Sequence, residues 1–64
     1  MKLITALTSE IHPAQWVEVF NSDDELISSA PCEAMIDCIW WKSEANAEVD
    51  FINHFERAAY IKLK

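Results

Sequence analysis

The chain has 64 residues, of which 52% are hydrophobic, and this is enough apolar material for one small folded domain over residues 1–64. Its formal net charge of -6 at pH 7 repels phosphate groups, which excludes direct binding of DNA or RNA as the expected function. No apolar run reaches the length of a signal peptide or a membrane span, so we expect a cytoplasmic protein that does not bind membranes.

Charge is distributed unevenly along the chain. From Leu3 to Trp41 there is no Lys or Arg, while seven acids fall in this window. These acids are Glu10, Glu18, Asp23, Asp24, Glu25, Glu33 and Asp37. Such a surface attracts a basic surface of another protein, including one that normally holds nucleic acid.

The first twenty residues contain two predicted strands. Lys2–Thr8 is rich in β-formers and has no breaker, which predicts a first strand. A loop over Ser9–Pro13 follows, because proline removes a donor and keeps the preceding residue out of helical geometry. Residues 15–21 alternate, which predicts a second strand in which Val17 and Val19 share one face; which face points inward is left open.

A polar turn over Asn21–Glu25 connects this strand to the next. Ser22 and Glu25 also match a helix capping box, so a short helix over residues 23–28 competes with a hairpin. We favour the hairpin, with residues 25–29 as a third strand. Because the chain contains no glycine, left-handed backbone angles need another residue type, and asparagine is the natural one. The candidates are Asn21, Asn46 and Asn53.

Residues 31–45 are the only run that repeats apolar residues at helical spacing for three turns, and we predict one main helix there. Its core face carries Cys32, Met35, Ile36 and Ile39. Trp40 borders this face and is expected to pack in the core. Six residues of helix separate Cys32 from Cys38 by about 9 Å, too far for a disulfide, so both are expected to be thiols.

A second apolar strip lies nearly opposite Ile36 on the same predicted helix. It contains Ala34, Cys38, Trp41 and Ala45. Trp41 is therefore either covered by a strand or exposed as a binding anchor, and both alternatives stay open.

From Ala47 onwards the apolar period changes to two, which predicts a hairpin or one bent strand over residues 47–63. A helix followed by a strand is the rival, since Phe51, Phe55 and Ala59 also fit helical spacing. The predicted fold class is α+β: a small antiparallel sheet of three to five strands packed on one main α-helix.

The residue types that carry catalysis or bind metals do not occur at known spacings. His12, His54, Cys32 and Cys38 form no zinc pattern, and phosphate-cradling loops require glycine, so we expect no metal and no cofactor. Cys32 lies near a predicted helix N-terminus, where a thiol pKa falls, but no oxyanion motif accompanies it. We therefore expect a protein that is not an enzyme.

We predict instead a partner-binding surface of acids beside one aromatic anchor. Its residues are Glu18, Asp23, Asp24, Glu25, Glu33, Asp37, Trp41 and Glu44. Carboxylates four residues apart on a helix lie about 6 Å apart, near the phosphate repeat of a nucleic acid strand, so phosphate mimicry is geometrically permitted. The expected partner is a basic surface of a larger host protein or complex. The alternative is a self-associating module, monomer or homodimer, that uses Ala34, Cys38 and Trp41 as its interface.

Short features of the sequence resemble a family of short, uncharacterised prophage proteins with β-β-α-β order. These features are Ile4-Thr5-Ala6, Trp16 at the head of a strand, Cys32-Glu33 at a helix start, and Val49 with Ile52-Asn53. The resemblance implies a phage or mobile-element origin. The small size, the acidity and the missing catalytic motif are similar in type to phage inhibitors of host defence, anti-CRISPR proteins in particular, which implies an inhibitor of a host defence complex.

Overall fold

The computed structural model describes all 64 residues as a four-stranded sheet with two helices. The elements are α1 (Leu3–Ser9), β1 (Trp16–Phe20), β2 (Leu26–Pro31), α2 (Cys32–Ile39), a 3-10 turn (Ser43–Asn46), β3 (Val49–His54) and β4 (Ala58–Leu63). The strand order is β2-β1-β4-β3. The predicted α+β class is confirmed, but the sheet is mixed, because β1 pairs with β4 in parallel while the two outer pairs are antiparallel.

The first element is a helix, so the strand predicted over Lys2–Thr8 is wrong, and there are two helices instead of one main helix. Leu3, Ala6 and Leu7 are buried together, and this i, i+3, i+4 spacing is helical. The β-branched residues that suggested a strand lie on the other side of α1. The hydroxyl of Thr8 donates to the carbonyl of Ile4 at 2.8 Å, which lets the threonine be accommodated within the helix. Burial of the apolar side thus outweighs local strand preference.

The predicted hairpin of strands 15–21 and 25–29 is confirmed as β1 and β2, although β2 continues to Pro31. Val17 and Val19 are fully buried, which settles the inward face of β1. The Asn21 side-chain oxygen accepts from the N–H groups of Asp23 and Glu25 and so stabilises the turn. The residue with positive φ (64°) is Asp24, and none of the three asparagines expected there has that conformation.

Helix α2 begins and ends inside the predicted range of 31–45. Its first two N–H groups, of Cys32 and Glu33, donate to the carbonyls of Gln15 and Pro13 at 2.7 and 2.9 Å, so the loop after α1 caps the helix. The helix stops at Ile39. A turn and the 3-10 segment then bury Ala45 and lead the chain into β3, which a continuous helix would not do.

Of the alternatives left open for residues 47–63, the hairpin is the one observed, as β3 and β4. Both helices pack on one face of the sheet and enclose a single core of 13 buried residues. These are Leu3, Ala6, Leu7, Ile11, Val17, Val19, Cys32, Met35, Ile39, Val49, Ala59, Ile61 and Leu63. No helix covers the opposite face of the sheet. Neither helix is long and apolar enough to cross a membrane.

Candidate protein-binding surfaces

Helix α2 presents two of the predicted acids side by side. Glu33 and Asp37 are both exposed, and their spacing of four residues places them one turn apart. Neither carboxylate forms an ion pair with a Lys or Arg of the chain, because the only ion pairs are Met1–Glu48 and Lys62–Asp24. These two charges are therefore available to another molecule.

The segment after α2 exposes two large aromatic side chains. Trp40 and Trp41 are each 65% exposed, so the prediction that Trp40 packs in the core is wrong. The reason is that α2 ends at Ile39, and Trp40 and Trp41 then lie in a turn that projects from the core. The ammonium of Lys42 lies 5.1 Å from the centroid of the Trp41 ring, within cation–π distance. Of the two alternatives for Trp41, exposure is the one observed.

A shallow cleft of about 380 Å³ separates this segment from the β1–β2 hairpin. Val19 and Ile27 line it from the hairpin, and Lys42 and Glu44 line it from the chain after α2. The turn between β1 and β2 therefore lies at the same end of the molecule as residues 40–44. Its acids Asp23 and Glu25 are exposed and have no ion-pair partner.

Two of the predicted site acids do not join this surface. Asp24 is ion-paired with Lys62 of β4, which compensates its charge. Glu18 alternates with the buried Val17 and Val19, so it faces the side of the sheet away from the helices, where it accepts a hydrogen bond from Ser29 at 3.3 Å. The structure thus keeps Glu33, Asp37, Trp41, Glu44, Asp23 and Glu25 on the helix side and at the adjoining end, and separates Glu18 and Asp24 from them.

The alternative interface is only partly continuous. Cys38 is exposed and Ala34 is partly buried, both on α2, whereas Trp41 follows the end of the helix. Ala45, expected on the same strip, is buried in the core. The apolar strip predicted on a helix over residues 31–45 is therefore shorter in the structure. Only Ala34 and Cys38 lie on α2, and Trp41 lies in the turn that follows it.

The opposite face of the sheet carries a group of aromatic side chains that the sequence predictions did not include. We call it the aromatic sheet face; its residues are Trp16, Phe20, Phe51, Phe55 and Tyr60. The ring of Tyr60 lies 5.7 Å from that of Phe20 and 4.8 Å from that of Phe55, centroid to centroid. The Trp16 indole N–H donates to the hydroxyl of Ser29 at 3.0 Å, which holds the indole across β2. The alternation of Trp16, Glu18 and Phe20 against Val17 and Val19 is the signal that could have revealed this face.

The buried thiol is not arranged as a nucleophile. Cys32 is fully buried and donates to the carbonyl of Leu7. Burial, with a smaller effect of the Glu33 carboxylate, raises the pKa of Cys32, which is the opposite of the lowering that a helix N-terminus can cause. Two free cysteines are present, as predicted, and no three His, Cys, Asp or Glu side chains converge as metal ligands do.

The chain has no match among family models, curated proteins or solved structures. Two surfaces of the molecule are distinctive. The helix side offers unpaired carboxylates and, beyond the end of α2, exposed tryptophans, and the other side offers an aromatic face with few charged residues. Both are features of contact between macromolecules.

Proposed function

We propose that this protein is a non-enzymatic inhibitor of phage or mobile-element origin that docks on a basic, nucleic-acid-binding surface of a larger host protein or complex, as anti-CRISPR proteins do. The observation that carries the proposal is the pair Glu33 and Asp37, two exposed carboxylates one helical turn apart with no cation of the chain bound to them. Lysines and arginines that normally contact successive phosphates can contact such a pair instead.

The charges account for attraction, and the exposed tryptophan accounts for affinity. Long-range attraction raises the association rate, while a buried aromatic anchor provides most of the binding free energy in many interfaces. Trp41 is 65% exposed in the free protein and lies between Asp37 and Glu44 in the chain. On docking, its ring loses contact with water and fills a pocket of the partner.

The proposed contact region is smaller than the set of acids predicted from the sequence. It comprises Glu33, Asp37, Trp41 and Glu44, extended by Asp23 and Glu25 at the adjoining end of the molecule. Glu18 lies on the other side of the sheet and Asp24 is compensated by Lys62, so neither is expected to contact the partner. The inhibitor acts in the cytoplasm of the host cell, where the complexes it blocks bind nucleic acid, and needs no cofactor.

The proposal is tested with purified host defence complexes, by measuring how much target DNA each complex binds as the protein is added. The wild type is expected to inhibit at least one complex, and the double variant Glu33→Lys/Asp37→Lys is expected to lose that inhibition while its thermal unfolding changes little. The matched control is Glu10→Lys/Glu56→Lys, which makes the same change in net charge at two other exposed acids.

The control separates local contact from overall charge. If contact through α2 is responsible, the Glu10/Glu56 variant inhibits as the wild type does. Equal inhibition by all three proteins, or equal loss in both double variants, would contradict the proposed contact surface. Failure of the wild type to inhibit any DNA- or RNA-binding defence complex would reject the function itself.

A second candidate is the self-associating module that uses α2. The exposure of Cys38 and Trp41 supports it, because both side chains are accessible to a second copy. In that case sedimentation finds a dimer of the wild type and a monomer of Trp41→Ala. A wild type that is monomeric, or a dimer that tolerates Trp41→Ala, would contradict this candidate.

A further inference from the structure

The aromatic sheet face is an apolar feature that no part of the chain covers. Four aromatic side chains of this face are exposed to between 38% and 54%: Trp16, Phe51, Phe55 and Tyr60. Small soluble proteins rarely leave several large aromatic rings together in water, because the apolar area favours burial by roughly 25 cal/mol per Å². Covering this face with another apolar surface is therefore favourable.

The charges on the face indicate which kind of occupant fits. Within the four strands the charged residues are Glu18, Asp50 and Lys62, and Lys62 is already paired with Asp24. The remaining excess of acids lies on the helices, the turns and the edges of the molecule. A second copy of this chain meets much less like-charge repulsion here than at the helix side, where it would bring Glu33 and Asp37 against their equivalents.

The polar groups of the face are largely satisfied before any contact is made. The Trp16 indole donates to Ser29, and the Ser29 hydroxyl donates to Glu18. Pairing these groups within the chain lowers the cost of removing them from water. The neutral groups among them need no polar side chain of a partner, whereas the Glu18 carboxylate has no cation of the chain bound to it.

The area of this face suits a weak dimer. Four strands of about six residues, spaced about 4.8 Å apart, cover roughly 19 by 20 Å, so two copies packed face to face bury roughly 760 Å² in total. This is below the size of stable specific interfaces and within the range of weak, transient ones. It predicts a dimer that dissociates on dilution.

We propose that two copies of this chain associate through the aromatic sheet face, forming a two-sheet sandwich with the rings of Phe20, Phe55 and Tyr60 in the contact. The ring of Tyr60 already contacts those of Phe20 and Phe55 within one copy. In the dimer both α2 helices point outward, so each copy keeps its own Glu33, Asp37 and Trp41 accessible. The inference does not rest on the proposed inhibitory function and holds or fails without it.

The test is sedimentation equilibrium over a wide range of protein concentration. The wild type is expected to approach twice the 7.4 kDa of one chain as the concentration rises. Phe55→Glu places a charge in the apolar contact and is expected to weaken association on the order of tenfold or more. The matched control is Trp41→Glu, which also replaces an exposed aromatic ring by a carboxylate but lies outside the face, and it is expected to associate as the wild type does.

A fluorescence measurement supplies a second, local readout. In a Trp40→Phe/Trp41→Phe background Trp16 is the only tryptophan. Its emission is expected to shift to shorter wavelength as the concentration rises and dimers form, and this shift is expected to disappear in the Phe55→Glu version.

Three results would overturn the inference. A wild type that stays monomeric up to millimolar concentration excludes the dimer. Loss of the dimer in Trp41→Glu with retention in Phe55→Glu assigns self-association to the α2 side. A monomer that binds a fluorescent oligothymidylate, with loss of binding in Phe55→Glu, assigns the face to stacked bases instead of a second copy.

Discussion

The thiol of Cys32 donates a hydrogen bond to the main-chain carbonyl of Leu7, with 3.0 Å between Sγ and O. The bond joins the first turn of α2 to α1 inside the core, and Cys32 is fully buried there. Cys38, six residues further on, is exposed. Two cysteines close together in sequence therefore have opposite accessibility.

This difference predicts the reactivity of the two thiols. In the native protein we expect an aromatic disulfide reagent to modify one thiol per chain quickly, because Cys38 is accessible and Cys32 is not. The second thiol reacts only when the protein unfolds. Cys38→Ser is expected to abolish the fast phase and Cys32→Ser to leave it, and a fast phase that survives in Cys38→Ser would show that Cys32 is accessible.

The raised pKa of Cys32 predicts how stability changes at alkaline pH. The folded state holds the thiol in its neutral form, so its contribution to stability is complete below the ordinary thiol pKa and is lost as pH rises through the higher folded-state pKa. The free energy of unfolding, measured with urea, is expected to decline over this range. Cys32→Ala removes part of the decline, and Cys38→Ala retains it; an unchanged slope in Cys32→Ala would contradict the assignment.

The packing of α1 predicts a strong effect of a single substitution. Leu7 is 1% exposed, so Leu7→Ala removes buried methyl groups and leaves a cavity, which costs about 2–5 kcal/mol. Native domains of this size have only about 3–10 kcal/mol of stability, so the variant is expected to be partly or wholly unfolded at room temperature by circular dichroism. Thr5→Ala, at an exposed position of the same helix, is the control and is expected to change stability by less than about 0.5 kcal/mol.

The left-handed backbone conformation of Asp24 predicts that substitution by glycine and by alanine will change stability by different amounts. Both Asp24→Ala and Asp24→Gly remove the ion pair with Lys62, but only glycine adopts a φ of 64° without a Cβ penalty. We therefore expect the glycine variant to be more stable than the alanine variant by about 1 kcal/mol, measured by chemical unfolding. Equal stabilities would show that the turn changes its backbone conformation on substitution.

Some parts of the fold follow directly from local sequence pattern. The alternation around Val17 and Val19 predicts the first hairpin, and the period of two after Ala47 predicts extended chain there, which the structure shows to be a second hairpin. The apolar face containing Cys32, Met35 and Ile39 predicts α2. In each case the apolar side chains that lie on one face of the predicted strand or helix are also the ones that are buried in the core.

Other parts depend on contacts that no local pattern contains. The spacing of Leu3, Ala6 and Leu7 is helical, but the segment Lys2–Thr8 is also rich in β-formers, and packing in the core decides between helix and strand. The parallel pairing of β1 with β4 joins residues far apart in the chain. The positions of two other residues depend on the same kind of information. Trp40 is exposed because α2 ends at Ile39, one residue before it. Glu18 lies on the face of the sheet away from the helices because Val17 and Val19 of β1 point into the core.

The position of β4 between β1 and β3 has a consequence for how this protein reaches its native state. Each hairpin forms from neighbouring residues, yet a two-stranded hairpin alone is only marginally stable in water. Val17, Val19, Ala59 and Ile61 are sealed from water only when the two hairpins dock side by side. We therefore expect the pairing of β1 with β4, which are far apart in the sequence, to limit the folding rate, so that folding is slower than that of a helical bundle of equal length. We also expect folding to be a cooperative, two-state transition.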